Sequence, residues 1–361
     1  MRRFQFDGLP DPTAIVFHAD ATGALRATET TGPDGLVELT VTAGDSVTVR
    51  QGPLGGNLVT VAGVEPGDEL WFGPPAFVQA GQMVVTVPPH PDGGEYEIRG
   101  PCIVPDSNPS TDVVVRWYPG CPDTRTVIAV ALGVGANGED AYFTAPLTVA
   151  GGGTDTITGT WSGPVDVSLT LQNVPTDAVV NIGGALMSGE YTTTYDGFER
   201  GTQLQTIAWQ RPATLNDGTL FSIVFAEEGR FEVLKLLPPG TATIDLTQRV
   251  PTITDVSTSS GIAWTVSAAD PIDAFVLYTA EVGSKGQALS SWTFILPPEA
   301  RSLVRPQIPD PLDTGFYDLG VVDVAGQGYD QFRPEAATNQ ALRQRRVPAG
   351  YDVQTWKWRL D

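Results

Sequence analysis

The sequence predicts an all-β protein of antiparallel sheets, arranged as tandem β-sandwich modules of immunoglobulin-like or transthyretin-like architecture. Three observations lead there. Glycine and proline, 40 and 30 of 361 residues, punctuate the whole chain. Between them, short runs alternate apolar and polar residues at the period of a half-buried strand. Those runs are rich in Val and Thr, whose branched side chains suit a pleated surface. Helical character is confined to one weak stretch, Glu335–Arg346. A six-bladed β-propeller is the alternative, since six units of four strands would close a ring.

The six units come from a recurring pattern, an alternating strand that ends at a proline corner. It reads F-Q-F-D-G-L-P from Phe4, V-T-V-A-G-V-E-P from Val59 and V-V-V-R-W-Y-P from Val113. It returns as L-T-L-Q-N-V-P from Leu169, F-E-V-L-K-L-L-P from Phe231 and W-T-F-I-L-P-P from Trp292. The starts lie 54 to 62 residues apart, a spacing expected of repeated supersecondary units. Proline ends ladder pairing because it has no N–H. The length suits two to four domains. We divide the chain into a first β module at 1–55, a cysteine-bearing module at 56–162, a sandwich at 163–250 and a last module at 251–361.

In the first module, strands are expected at Ala14–Ala19 and Ala24–Thr30, then a G-P-D-G turn at Gly32–Gly35. Leu36–Thr42 and Ser46–Arg50 alternate as two more strands. The stretch T-E-T-T-G-P-D-G-L-V-E-L-T-V-T-A-G-D-S-V-T-V (Thr28–Val49) resembles the carboxypeptidase regulatory-like and collagen-binding-B-type β-sandwich modules. Thr31, Asp34, Gly35 and Gly44 stand where that pattern has them, while its P-G-x-Y is replaced by A-G-D-S. The resemblance implies a spacer or binding module in place of an active site.

The second module continues with Glu69–Gly73, Met83–Pro88, Tyr96–Arg99, Asp112–Tyr118, Thr126–Leu132, Ala141–Ala150 and Asp155–Trp161. V-I-A-V-A-L is a continuous apolar run, the mark of a strand in a core. The third module has Glu190–Tyr195, Leu204–Gln210 and Leu220–Phe225, with N-D-G at Asn216–Gly218 as a hairpin turn. In the last, S-G-I-A-W-T-V and D-A-F-V-L-Y-T-A resemble the paired strands of a fibronectin type III or immunoglobulin-like sandwich, which implies a core role for Trp264. The end, V-Q-T-W-K-W-R-L, alternates as a closing strand with Trp356 and Trp358 buried together on one face.

The only cysteines are Cys102 and Cys121, with eighteen residues between them. We read them as a disulfide, worth about 3 kcal/mol for a loop of this length. It would staple the second repeat unit to the third and place the protein outside the cytosol. The first ten residues hold no apolar run of the length a signal peptide needs, so a leader would lie upstream. No stretch approaches 18 consecutive apolar residues, which excludes a membrane-spanning helix.

With 42 acidic and 21 basic residues the net charge is −21, which argues against nucleic acid as a partner. The segment Arg333–Asp361 reverses the trend, with six basic and three acidic residues. Catalytic motifs are scarce. His18 lies in a strand, His90 lies in a turn, and no G-x-S-x-G is present. G-V-G-A-N-G (Gly133–Gly138) precedes a strand, so it reads as a hairpin turn and not a phosphate loop. The candidate calcium ligands are Asp310, Asp313 and Asp318, without EF-hand spacing; no other cofactor is implied. Trp71, Trp117 and Tyr118 are candidate aromatics for a sugar platform or for the core. The expectation is a non-catalytic secreted or cell-surface protein, acting as adhesion, scaffold or spacer module on a protein or polysaccharide. A carbohydrate-binding module set, or a hydrolase with an unmarked carboxylate pair, are the alternatives. Oligomeric state is left open.

Overall fold

The computed structural model describes residues 2–3, 13–51, 57–72, 80–104, 106–117, 123–135, 139–149, 151–174, 179–188, 191–202, 206–211, 219–226, 230–238, 243–247, 250–258, 262–267, 272–282, 288–309, 316–324 and 352–360. Every regular element among them is a strand. The sheets are several and none closes into a barrel.

The N-terminal strands are β1 (Arg2–Arg3), β2 (Ile15–Ala19), β3 (Leu25–Thr30), β4 (Asp45–Gln51), β5 (Asn57–Val64) and β6 (Trp71–Phe72). β5, β4, β2 and β3 pair antiparallel in that order. Their alternation buries Val16, Val47, Val49, Val61 and Phe72 in one small core.

A sandwich follows: β7 (Gly81–Thr86), β8 (Glu95–Arg99), β9 (Ile103–Val104), β10 (Asp112–Trp117), β11 (Thr124–Leu132), β12 (Ala141–Thr148) and β13 (Thr154–Thr156). One sheet runs β13-β7-β10-β9, the other β12-β11-β8. Alternate residues of both, among them Met83, Val85, Val113, Val115, Val127 and Leu147, meet in a shared core. The apolar run of β11 is buried on both faces: Val127, Ala129 and Ala131 enter this core, while Ile128 and Val130 pack with Tyr142. The fit is tight. A Cβ on Gly81 would stand 2.5 Å from the Trp117 ring, and one on Gly159 would stand 2.2 Å from Phe143. Trp161 closes one end, donating its Nε1–H to Pro88 O at 3.1 Å and meeting Phe143 edge-on at 4.6 Å.

The remaining strands are β14 (Val165–Gln172), β15 (Val179–Ser188), β16 (Tyr191–Thr202), β17 (Thr206–Arg211), β18 (Thr219–Ala226), β19 (Arg230–Leu237), β20 (Thr243–Asp245), β21 (Ile253–Ser257), β22 (Ala263–Val266), β23 (Ala274–Val282), β24 (Ala288–Leu296), β25 (Phe316–Val324) and β26 (Asp352–Leu360). Most of them join the N-terminal strands in one sheet of twelve, ordered β16-β15-β18-β19-β26-β25-β23-β24-β5-β4-β2-β3. Over it lie the sheet β17-β14-β20 and the pair β21-β22. Leu169, Ile244, Ile253 and Trp264 of this layer share a core with Phe275, Trp292 and Leu319 of the long sheet.

Every neighbouring pair of the twelve is antiparallel except β5 and β24, which run parallel. Polar bonds reinforce that seam. Buried Trp292 donates its Nε1–H to Thr60 Oγ1 at 2.8 Å, and Thr60 shares a 2.7 Å hydroxyl bond with Thr48 on β4. Ser291 Oγ donates to Asn57 Oδ1 at 2.7 Å. The segment after β24 then folds back over the N-terminal strands. Arg305 lies 5.0 Å from the Trp292 ring centre, Arg50 donates to Pro309 O, and Gln307 N–H donates to Gly23 O at 2.8 Å. Gly23 has φ 84°, and a Cβ there would lie 2.8 Å from Arg305 O, so only glycine fits.

Several expectations change. The propeller is not the architecture: one sheet has twelve strands and another four, not six blades of four. β4 and β5, on either side of position 55/56, pair with each other, and the sheet of twelve takes strands from all four segments. The proline-cornered repeat does not mark equivalent units. Its described copies are all strands, but they fall in β5, β10, β14, β19 and β24, which belong to three sheets. Leu36–Thr42 alternates without joining a sheet, apart from a single bridge residue at Leu36. β22 and β23 do not pair; they face each other across layers, with Trp264 5.2 Å from Phe275. The strands either side of N-D-G, β17 and β18, lie in different sheets. The closing strand forms as expected, between β19 and β25, with Lys357 3.8 Å from Glu232 and Lys235 3.2 Å from Asp352. The side chains of Trp356 and Trp358, and the stretch Glu335–Arg346, lie outside what is described.

Two consequences can be measured. Thr60→Val leaves the buried Trp292 N–H without its acceptor, at a cost of about 1–3 kcal/mol. Thr48→Val spares that acceptor and costs less, so urea midpoints should rank wild type, Thr48→Val, Thr60→Val; equal midpoints would refute the seam's role. Gly159→Ala overpacks the sandwich against Phe143 and should cost about 1–3 kcal/mol in thermal or urea unfolding.

Candidate functional site

The alternating segment that joins no sheet is the most unusual feature of the described chain. Residues 36–42 read L-V-E-L-T-V-T, a strand by pattern. They cross the face of the N-terminal sheet as a strap. Val37, Leu39 and Val41 turn inward and pack on the core of Val16, Val47 and Val49, while Glu38 and Thr40 face solvent.

Each end of the strap is anchored by an aspartate. At its start, the turn 32–35 closes through Gly35 N–H to Gly32 O and Gly32 N–H to Leu36 O, both at 2.8 Å. Gly35, at φ 71°, supplies the left-handed step, and Asp34 Oδ1 accepts the Leu36 N–H at 3.0 Å. At its end, buried Asp45 Oδ2 accepts the Thr42 N–H at 2.8 Å and lies 2.7 Å from His18 Nε2. With both donors on one carboxylate oxygen, Nε2 carries the proton. The pair lies beneath the strap and holds it to β2 and β4. Between the anchors, the backbones of Glu38, Leu39, Thr40 and Val41 make no hydrogen bond to a described residue.

A hollow opens on either side. One, of about 750 Å³, lies between the strap and the loop 64–70, with Val47 and Val64 among its lining. Among the described residues its charged lining is Glu38, Glu65, Asp68 and Glu69, with no basic residue. Asp68 Oδ2 accepts the Glu65 N–H at 2.7 Å and so shapes this loop. The other, of about 780 Å³, is lined by Asp20, Glu29, Glu38 and Asp45 with Arg26 and His18. There the Thr22 hydroxyl donates to Asp20 at 2.6 Å. That bond, the Ala24 and Thr22 N–H groups and the Arg26 guanidinium bring the Asp20 pKa from 3.8 down to about 2.

Of the residues singled out from the sequence, His18 lines the second hollow, while Trp117, Cys102 and Asp318 line neither. Trp117 is buried in the sandwich. Trp71 is on β6 with its side chain outside the description, and Tyr118 is outside it altogether. Asp318 is half-buried on β25, opposite Tyr278 and Arg359; Asp310 and Asp313 lie outside the described residues. Among described residues, no three His, Cys, Asp or Glu side chains gather as a metal site. Cys102 is buried in the turn between β8 and β9, at φ 54°, with Arg125 donating to the neighbouring Pro101 O at 2.7 Å. No described cysteine is a free thiol, and Cys121 is outside the description. The strands that flank both cysteine positions belong to one sandwich, so a bridge between them would be internal to it and would not staple two units. G-V-G-A-N-G does lie between the paired strands β11 and β12, as a hairpin connection.

Sequence reasoning placed strands around the strap but missed the site. The signal was present: an alternating run held between D-G and G-D turns. Compared with known proteins, the chain matches no family model and no curated sequence.

The turn at Asp20 makes a pH prediction. A carboxylate with a lowered folded pKa stabilises above its unfolded value and loses that contribution as pH falls through the folded one. The contribution should therefore be whole above about pH 4 and fade toward pH 2, with the Asp20 carboxyl titrating near 2 by NMR. Asp20→Ala should speed exchange of the Thr22 and Ala24 amides at neutral pH and have no such effect below the folded pKa.

Proposed function

We propose that the chain is a non-catalytic scaffold or adhesion protein that works outside the cytosol and holds a protein partner on its N-terminal strands. The strap carries this reading. A strand-like segment, anchored at both ends, leaves the backbones of four consecutive residues unbonded to any described residue, beside a hollow of about 750 Å³. Main-chain pairing along such an edge is a general mode of peptide recognition. The resemblance of Thr28–Val49 to binding and spacer modules falls on the same residues. Scaffold fits better than spacer, because β5 and β24 join strands far apart in sequence in one sheet.

Export rests on the cysteines. A Cys102–Cys121 disulfide within one sandwich agrees with the absence of a free thiol among the described residues. The polysaccharide alternative loses support from Trp117, which is buried at 7% exposure in the sandwich core.

Two measurements test the reading. Denatured but unreduced protein should take up no alkylating label and, once reduced, two; two labels without reduction would remove the case for export. Arrays of capped random peptides and of polysaccharides should give saturable binding to peptides that competes at the strap. Saturable binding to a polysaccharide, with none to any peptide, would overturn the proposal.

A further inference from the structure

We propose that the hollow between the strap and the loop 64–70 takes an extended, lysine- or arginine-bearing polypeptide segment, added as a strand along residues 38–41. This rests on the protein-binding reading above and specifies the partner's chemistry and the side it occupies.

The alternation fixes the orientation of the backbone. Val37, Leu39 and Val41 point to the core and Glu38 and Thr40 to solvent, so the side-chain axis is normal to the sheet face. In an extended chain the N–H and C=O groups lie perpendicular to that axis, in the direction of neighbouring strands. They therefore point sideways, toward the two hollows, both of which have residues 38–40 in their walls. Neither hollow supplies partners to the backbones of Glu38, Leu39, Thr40 and Val41. An unpaired strand edge is a template for another strand.

Charge selects the side and the occupant. Among the described residues, the hollow toward the loop 64–70 has four carboxylates and no cation in its lining, while the other contains Arg26 and His18. The loop side also has the half-buried apolar Leu36, Leu39 and Val41 in its lining. A strand that alternates apolar and cationic side chains would set one face on these and the other beside Glu38, Glu65 and Glu69. A second copy of this chain is a poor occupant, since each carries −21.

The test uses the whole chain and three capped peptides, alternating valine with lysine, with threonine or with glutamate. The lysine peptide should bind best and slow hydrogen exchange of alternate amides within residues 38–41, the signature of one paired strand edge. Its affinity should fall on the order of tenfold in the triple variant Glu38→Lys/Glu65→Lys/Glu69→Lys, and fall with salt. These three side chains are exposed, so the fold should survive the change; its thermal midpoint checks that. Binding of the threonine peptide as tight as that of the lysine peptide, at these same amides, would overturn the charge selection while leaving protein binding intact. Shifts confined to residues 18–29 would place the strand in the wrong hollow and overturn the assignment. Binding of no peptide would overturn this inference and the broader reading together. So would peptide-free dimers that already protect these amides, or calcium ions shifting Glu65 and Glu69 while no peptide binds.

Discussion

The parallel pairing of β5 with β24 is the constraint on which the rest of the molecule depends. It joins residues 232 positions apart, across a junction where the sheet's otherwise antiparallel order reverses. Parallel ladders are somewhat weaker per residue than antiparallel ones. The closure entropy of so long a loop is large, though it grows only with the logarithm of length. The seam offsets both with side chains. Trp292 is fully buried yet has a hydrogen-bond acceptor, and the Thr60 hydroxyl that serves it is itself bonded to Thr48. Three strands are thus tied by a chain of buried polar groups, each with a partner. A half-satisfied version would be worse than an apolar one.

The seam also couples the cores. Ile295, from β24, sits among the N-terminal valines under the strap, while Phe17 and Leu58, from β2 and β5, belong to the large core beneath the second layer. Each core therefore borrows side chains from the other end of the chain. The floor on which the strap rests is completed by a residue nearly 300 positions along the sequence, which no excised N-terminal fragment would contain. Asp34 and Asp45 then fix the ends of the strap on that floor. The backbones of residues 38–41 can be left unbonded to the described residues because their geometry is imposed from the ends of the strap and from below.

What was legible in the sequence follows from the range of the interactions. Strand alternation is local, and most strands lie within two residues of where Val, Thr and the turn residues place them. The buried run of β11 and the core position of Trp264 were legible for the same reason. Pairing partners are not local. Nothing in V-T-V-A-G or W-T-F-I-L says that Val59 will lie beside Thr293. The proline corners that suggested equal units mark only where strands stop. The strap shows the limit most clearly. Its alternation correctly told which side chains face inward, but alternation is satisfied by any extended chain over an apolar face, paired or not. Only the three-dimensional placement of β2 and β4 beneath it distinguishes the two.

The acidity of the protein bears on why such an edge can persist. An extended, apolar, unpaired segment is a hazard, because identical edges can pair with each other. Here Glu38 stands in the middle of the strap, Glu65 and Glu69 stand across the hollow, and the whole chain is strongly negative. Two copies approaching edge to edge would bring like charges together as the hydrogen bonds began to form. β3, last in the described order of the long sheet, carries Arg26 and Glu29 on its exposed positions to similar effect. The same carboxylates that repel a second copy lower the energy of an approaching cationic strand. The charge is therefore selective: at this edge it favours a basic partner strand over self-association.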